Sequence, residues 1–191
     1  VEAARASSPV TSSGCAPHLR GVSFRGQAMA ELKRILADAV EPALCLLPGQ
    51  MDSDRARLML LAIGLQESRF QHRRQIGGPA RGFWQFERDG GVQGVLRHPA
   101  TSRLAMTVCS RRGVAPAPDA VYRRLEYDDV LAAAFARLLL WTDPQPLPAL
   151  GDVAAAWQYY LRTWRPGRPH RETWDGLYSQ ALEAMAQHER D

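Results

Sequence analysis

Glu67 follows the apolar run 58–65 and directly precedes a segment rich in glycine and aromatic residues: Gly77, Gly78, Gly82, Phe83, Trp84 and Phe86. A carboxyl group held against apolar neighbours keeps its proton to higher pH, because burial disfavours the charged form. A carboxylic acid still protonated near neutrality can donate to a leaving oxygen. Position alone also fits a solvated glutamate at a helix end. Against that reading, a helix C-terminus is an unfavourable place for a negative charge, and locally unfavourable residues point towards use.

A two-carboxylate hydrolysis needs a partner acid roughly 5 to 9.5 Å from the first. Glu87, Asp89, Asp128 and Asp129 are the available residues, and each reads equally well as a surface or capping group. His18, His72, His98, His170 and His188 lack metal-ligand spacing and have no cysteine or serine beside them that would make a nucleophile. No metal and no cofactor is implied. His72, five residues beyond Glu67, is the histidine nearest the candidate site in sequence. Cys15, Cys45 and Cys109 form no close pair; their number leaves room for one bridge, but the apolar surroundings of Cys45 and Cys109 favour buried free thiols.

These residues need helices to position them. Residues 1–26, rich in Ser, Ala, Gly and Pro, read as an extended arm, and 27–191 as a single all-α domain. Met29, Leu32, Ile35, Leu36, Ala39, Val40 and Leu44 recur at helical spacing, which predicts a core helix bent at Pro42 and ended by Pro48-Gly49. Asp52, Ser53 and Asp54 offer N-caps for a second helix that carries Glu67 near its C-terminal end. The glycines from Gly77 to Gly82 predict a loop or hairpin with unusual backbone needs. Shorter helices are expected near 91–97, 100–111 and 118–125. Asp128 and Asp129 cap an apolar helix to Trp141, Asp152 caps one to Trp164, and a last helix starts near Arg171.

The stretch Ala62-Ile63-Gly64-Leu65-Gln66-Glu67-Ser68-Arg69-Phe70, followed by Gly78-Pro79-Ala80-Arg81-Gly82-Phe83-Trp84-Gln85-Phe86, resembles the signature of soluble lytic transglycosylases and goose-type lysozymes. There Glu-Ser precedes a loop of the form Gly-Ala-x-Gly-x-x-Gln. The resemblance implies a lysozyme-like fold in which Glu67 protonates a glycosidic oxygen of bacterial peptidoglycan and Gln85 lies in the sugar groove. Ser68 would orient the glutamate or touch substrate, and Gly82 would allow the loop's tight approach.

A second match lies downstream, where the family has Ala-Ala-x-Tyr-Asn on a helix and this chain reads Ala154-Ala155-Ala156-Trp157-Gln158-Tyr159-Tyr160. Trp157-Gln158 replaces Tyr-Asn, so the tyrosine that assists the family's glutamate is either replaced or supplied by Tyr159 or Tyr160. Gln158, Tyr159 and Tyr160 are the candidate groove residues on this helix. The resemblance spans about 55 to 165, with specific matches in these two windows.

Phe83 and Trp84 are the expected sugar-stacking aromatics, because sugar rings present apolar C–H faces to an indole or phenyl ring. In an extended loop Trp84 and Phe86 would face one way and Phe83 and Gln85 the other. Trp141, Trp164 and Trp174 read as core. A transglycosylase needs only one carboxylate, since the muramic C6 hydroxyl can close on C1 to give a 1,6-anhydro product. The lack of an obvious partner acid tilts the reading that way, with a hydrolytic muramidase or an inactive interaction protein on the same scaffold as alternatives.

The 191 residues carry 24 basic and 20 acidic side chains, and Lys33 is the single lysine. A net charge of +4 suits contact with an anionic polymer. Arg69, Arg73, Arg74 and Arg81 cluster beside the site, but no nucleic-acid motif accompanies them. Peptidoglycan strands are the implied partner, in the periplasm or cell wall, with a phage virion or secretion apparatus as the implied setting. No apolar run approaches the ~20 residues of a membrane span. The opening residues lack the pattern of an export signal, and a chain starting at Val1 reads as a processed product or a fragment.

Overall fold

The computed structural model describes residues 24–190, with side chains from residue 26. The expected N-terminal arm, Cys15 and His18 therefore lie outside the described residues, apart from the arm's last three positions, which already belong to the first helix. The described chain is all-α, and the helices fall where periodicity and capping put them. They are α1 (Phe24–Ile35), α2 (Glu41–Cys45), α3 (Asp54–Ser68), α4 (Gln93–Arg97), α5 (Ser102–Arg111), α6 (Pro118–Arg124), α7 (Asp129–Trp141), α8 (Val153–Trp164) and α9 (Arg171–His188).

The bend expected at Pro42 takes a definite form. Proline lacks an N–H and its ring would meet the carbonyl four residues earlier, so an unbroken α-ladder cannot run through it. The chain widens instead into a π-helical turn at Leu36–Val40, where the Glu41 N–H reaches back to the Leu36 carbonyl, and α2 restarts with proline in its first turn.

Three side chains cap helices as expected. Ser53 Oγ accepts from the Ala56 N–H at 3.2 Å, Asp128 Oδ1 from the Leu131 N–H at 2.9 Å, and Asp152 Oδ1 from the Ala155 N–H at 3.0 Å.

Helix α3 is the central element. Leu58, Met59, Leu60, Leu61, Ala62, Ile63, Gly64 and Leu65 are all buried, so its apolar surface goes all round rather than forming the expected stripe. Helices α7 and α9 pack against it, and α8 packs on α9. Trp174 of α9 is fully buried, as the core reading required. Cys109 is buried but Cys45 is exposed, because it ends α2 beyond the inward-facing Ala43 and Leu44. No helix among the described residues is long and apolar enough to cross a membrane.

Candidate active site

Helix α3 ends abruptly after Ser68 because two successive residues take left-handed backbone, Arg69 at φ 56° and Phe70 at φ 54°. The Arg69 N–H closes the helix on the Leu65 carbonyl, and its Nη1 donates to the same carbonyl at 3.0 Å. The reversal carries the Phe70 ring back across Gly64, where a Cβ would lie 2.2 Å from Cζ. Gly64 is therefore the residue that lets Phe70 seat, and Phe70 in turn meets Phe83 and Trp84 edge to face at 5.4 and 5.7 Å.

Beyond it, residues 73–86 fold as a small hairpin held by isolated antiparallel bridges, Arg74 with Arg81 and Arg81 with Phe86. Gly82 has φ +73°, and a Cβ there would stand 2.6 Å from the Leu125 carbonyl oxygen, so only glycine allows this approach.

Glu67 sits half-buried on the last turn of α3, in an open cleft of about 1520 Å³. Tyr160 Oη donates to Glu67 Oε1 at 2.7 Å. Burial pushes the Glu67 carboxyl up to about 7, and the Tyr160 hydrogen bond, which favours the carboxylate, holds it back from going higher. Burial first, then the adjacent carboxylate, pushes the Tyr160 hydroxyl up, so it stays a proton-bearing donor.

The Tyr160 ring stacks on Trp174 of α9, centroids 5.2 Å apart at 17°, and Trp157 closes the cluster at 5.3 Å from Tyr160 and 5.4 Å from Trp174. The hydroxyl is thus aimed by a packed aromatic group rather than by a free side chain.

The alternative between Tyr159 and Tyr160 is resolved by helix geometry. Tyr159 faces α7, where its hydroxyl donates to the carbonyls of Leu140 at 2.8 Å and Gln145 at 3.3 Å. Gln158 is exposed and does not line the cleft. Both are corrected here, because successive residues on a helix are about 100° apart and only one of the three can meet Glu67.

Ser68 is corrected as a substrate contact. It is buried, and its hydroxyl donates to the carbonyls of Phe83 at 2.7 Å and Gly64 at 3.2 Å while accepting from the Phe70 N–H at 3.1 Å. Its role is to tie the end of α3 to the hairpin that carries Gln85.

Phe83 and Trp84 are corrected as groove aromatics. Trp84 is 0% and Phe83 2% exposed. Trp84 Nε1 donates to the Leu60 carbonyl at 2.9 Å, and the Arg73 guanidinium covers the Phe83 ring at 4.1 Å. The extended alternation fails because Gly82 and Gln85 both have positive φ, so the segment turns. Phe83, Trp84 and Phe86 are all buried, and of the four Gln85 and Phe86 line the cleft. Gln85 Nε2 donates to the carbonyls of Gly82 at 2.7 Å and His72 at 3.3 Å. His72 lies outside the cleft lining and meets the site through that carbonyl.

Trp164 packs against the core as expected, edge to face with Phe86 at 6.0 Å, and it also lines the cleft, a placement that sequence reasoning missed. It is half-buried and donates from Nε1 to the Trp84 carbonyl at 3.1 Å. One signal was present: Trp164 lies four residues after Tyr160, hence on the same face of α8.

Among the candidate partner acids, Glu87 and Asp89 line the cleft. Asp128 does not, being buried as a cap and held by Arg112 at 2.8 Å and Arg124 at 3.3 Å; Asp129 is paired with Arg73 at 2.6 Å. Asp143, which no pattern singled out, also lines the cleft, paired with Arg162 at 2.8 Å.

The arginine cluster is largely spoken for. Arg73 binds Asp129, while Arg74 and Arg81 share Glu126 at 3.1 and 3.0 Å, which clamps the hairpin to the α6–α7 junction. Tyr122 adds a hydrogen bond to the Pro79 carbonyl. Among the described residues no group of three or more His, Cys, Asp and Glu side chains is placed to hold a metal ion.

The assembled site is a half-buried carboxyl near neutrality, one oxygen engaged by a tyrosine, in an open cleft that also holds an amide, an indole and further carboxylates. Such an arrangement can give and take a proton at one point of a ligand seated in the cleft. Comparisons with protein-family models, with curated proteins and with solved structures give no match.

Proposed function

We propose that the chain cleaves the β-1,4-glycosidic bond between N-acetylmuramic acid and N-acetylglucosamine in peptidoglycan, on a lysozyme-like scaffold, as a lytic transglycosylase. The observation that carries this reading is the Glu67–Tyr160 pair in the cleft, with the Glu67 carboxyl raised to about 7. A group balanced near the working pH can serve first as acid and then as base. Glu67 protonates the glycosidic oxygen as the C1–O bond breaks. The resulting carboxylate then takes the proton of the muramic C6 hydroxyl while that oxygen bonds to C1, so the 1,6-anhydro ring forms and Glu67 ends protonated as it began. Tyr160 engages Oε1, which leaves the other carboxyl oxygen to carry the moving proton. Trp164 supplies a ring for a sugar face, and Gln85 polar groups for its hydroxyls.

A hydrolytic muramidase is the second reading, favoured by the presence of Glu87 and Asp89 along the same cleft. Peptidoglycan incubated with the wild type and with Glu67→Gln, followed by mass spectrometry of soluble muropeptides, tests both. Anhydro-muropeptides from the wild type alone are expected. No soluble product would sink the enzymatic reading, and a hydrated reducing end would select the muramidase.

A further inference from the structure

The segment between α8 and α9, Arg165-Pro166-Gly167-Arg168-Pro169-His170, forms one edge of the cleft. It is pinned at both ends by groups around Glu67. Trp164 Nε1 holds the Trp84 carbonyl at 3.1 Å on one side, and Gln66, next to Glu67, donates to the His170 carbonyl at 3.1 Å on the other. Thr173 Oγ1 reinforces this by donating to Gln66 Oε1 at 3.1 Å. Two prolines restrict the backbone between these anchors.

Most arginines around this edge are matched to acids: Arg162 to Asp143, Arg171 to Asp175, Arg88 to Asp119 and Asp89. Arg165 and Arg168 differ. Both are exposed and line the cleft, and among the described residues neither has an acidic partner. Among the described residues, the Arg165 guanidinium makes one hydrogen bond, Nε donating to the Arg162 carbonyl at 3.3 Å, which orients the fork without neutralising it. Two uncommitted guanidinium groups on a pinned edge suit planar carboxylates, which arginine binds in a forked geometry that lysine cannot match.

We propose that Arg165 and Arg168 form a carboxylate-binding subsite that recognises the free carboxylates of the glycan's peptide stems, so that the chain prefers strands whose stem carboxylates are free to strands whose stem carboxylates are blocked. The proposal rests on the peptidoglycan reading above. A strand lying along the cleft presents neutral sugars to Trp164 and Gln85, and its only dense anionic groups are the free carboxylates of the stems. Exposed pairs of this kind are individually weak and screened by salt, so two of them are expected to give a preference of about three- to tenfold at low ionic strength.

The test is co-sedimentation of the Glu67→Gln chain with intact sacculi and with sacculi whose free stem carboxylates have been converted to neutral amides, at low and raised salt. The Glu67→Gln chain is expected to bind the unmodified sacculi about three- to tenfold better, with the ratio falling towards one in raised salt. Adding Arg165→Gln and Arg168→Gln is expected to bring the ratio to one at low salt, whereas adding Arg55→Gln and Arg103→Gln, exposed arginines outside the cleft, keeps it. Equal binding to both sacculi, or a preference that survives loss of Arg165 and Arg168, overturns the subsite. A wild type that releases no muropeptide while carboxylate-dependent binding persists overturns the catalytic reading and supports the subsite. Circular dichroism of each variant separates lost binding from lost fold, and Arg165→Lys with Arg168→Lys, which keeps charge but not the fork, is expected to restore only part of the preference.

Discussion

Tyr160 reaches Glu67 across 93 residues of sequence, and its 2.7 Å hydrogen bond lowers a carboxyl that burial alone would hold still higher. Removing the hydroxyl therefore raises the Glu67 pKa above about 7. Because Glu67 must be protonated to act as acid, the alkaline limb of the pH–rate profile should move to higher pH in Tyr160→Phe. The rate at neutral pH should fall roughly ten- to a hundredfold, as for loss of a group that supports general acid–base catalysis. A fall in rate with an unmoved alkaline limb would assign Tyr160 to packing alone.

The same raised pKa makes a statement about stability. The folded Glu67 carboxyl titrates near 7 and the unfolded one near 4.5, so the folded state binds the proton more tightly. The stability this contributes is fully present below pH 4.5 and is lost as pH rises through about 7. Glu67→Gln, neutral at every pH, should thus be more stable than the wild type at pH 8, by about 1–3 kcal/mol after solvent screening, and about equal to it at pH 4. Urea unfolding at the two pH values checks this, and a gain independent of pH would contradict it.

Gly64 and Phe70 form a lock at the end of α3. With a Cβ placed 2.2 Å from the Phe70 ring, Gly64→Ala should cost about 2–3 kcal/mol despite alanine's better helix propensity. Phe70→Leu also destabilises, by emptying part of the core, but the double variant should be less destabilised than the sum of the two. A double-mutant cycle in urea measures that coupling, and strict additivity would separate the two residues.

The hairpin's two faces predict opposite phenotypes. Trp84→Ala removes a fully buried indole and its bond to the Leu60 carbonyl, and should lose about 3–5 kcal/mol. Gln85→Ala removes a cleft side chain and should keep the helical signal while weakening glycan cleavage. Thermal unfolding followed by circular dichroism, with muropeptide release alongside, distinguishes them. A folded Trp84→Ala beside an unfolded Gln85→Ala would reverse the assignment.

Trp164 should behave as a ligand contact as well as a neighbour of the core. Trp164→Phe keeps a ring on the cleft wall but loses the bond to the Trp84 carbonyl, so binding of glycan strands should weaken severalfold with the melting temperature little changed. A large drop in melting temperature with unaltered binding would leave Trp164 its packing role alone.

The sequence by itself determined the elements. Apolar content and the caps Ser53, Asp128 and Asp152 act within one to four residues, and they place α3, α7 and α8 and put Glu67 at the end of α3 without any tertiary information, although the stripe expected on α3 proved to be an all-round apolar surface. The demand for glycine at Gly82 was legible in the same local way, as a loop needing unusual backbone.

Tertiary structure alone decided which groups share the cleft. Nothing local distinguishes Tyr159 from Tyr160; the choice falls to the direction in which α8 leans on α9, where Trp174 fixes the ring. Nor does spacing show that Gln85 turns at φ 50° and sends Phe83 and Trp84 inward together, or that Arg73, Arg74 and Arg81 are committed to acids some fifty residues away while Arg165 and Arg168 are not. Backbone preference acts on neighbours, whereas burial and charge pairing act on whatever the packed helices bring together. Glu67 was therefore placed by local rules, and its proton affinity was set by a distant tyrosine and by the burial that packing imposes.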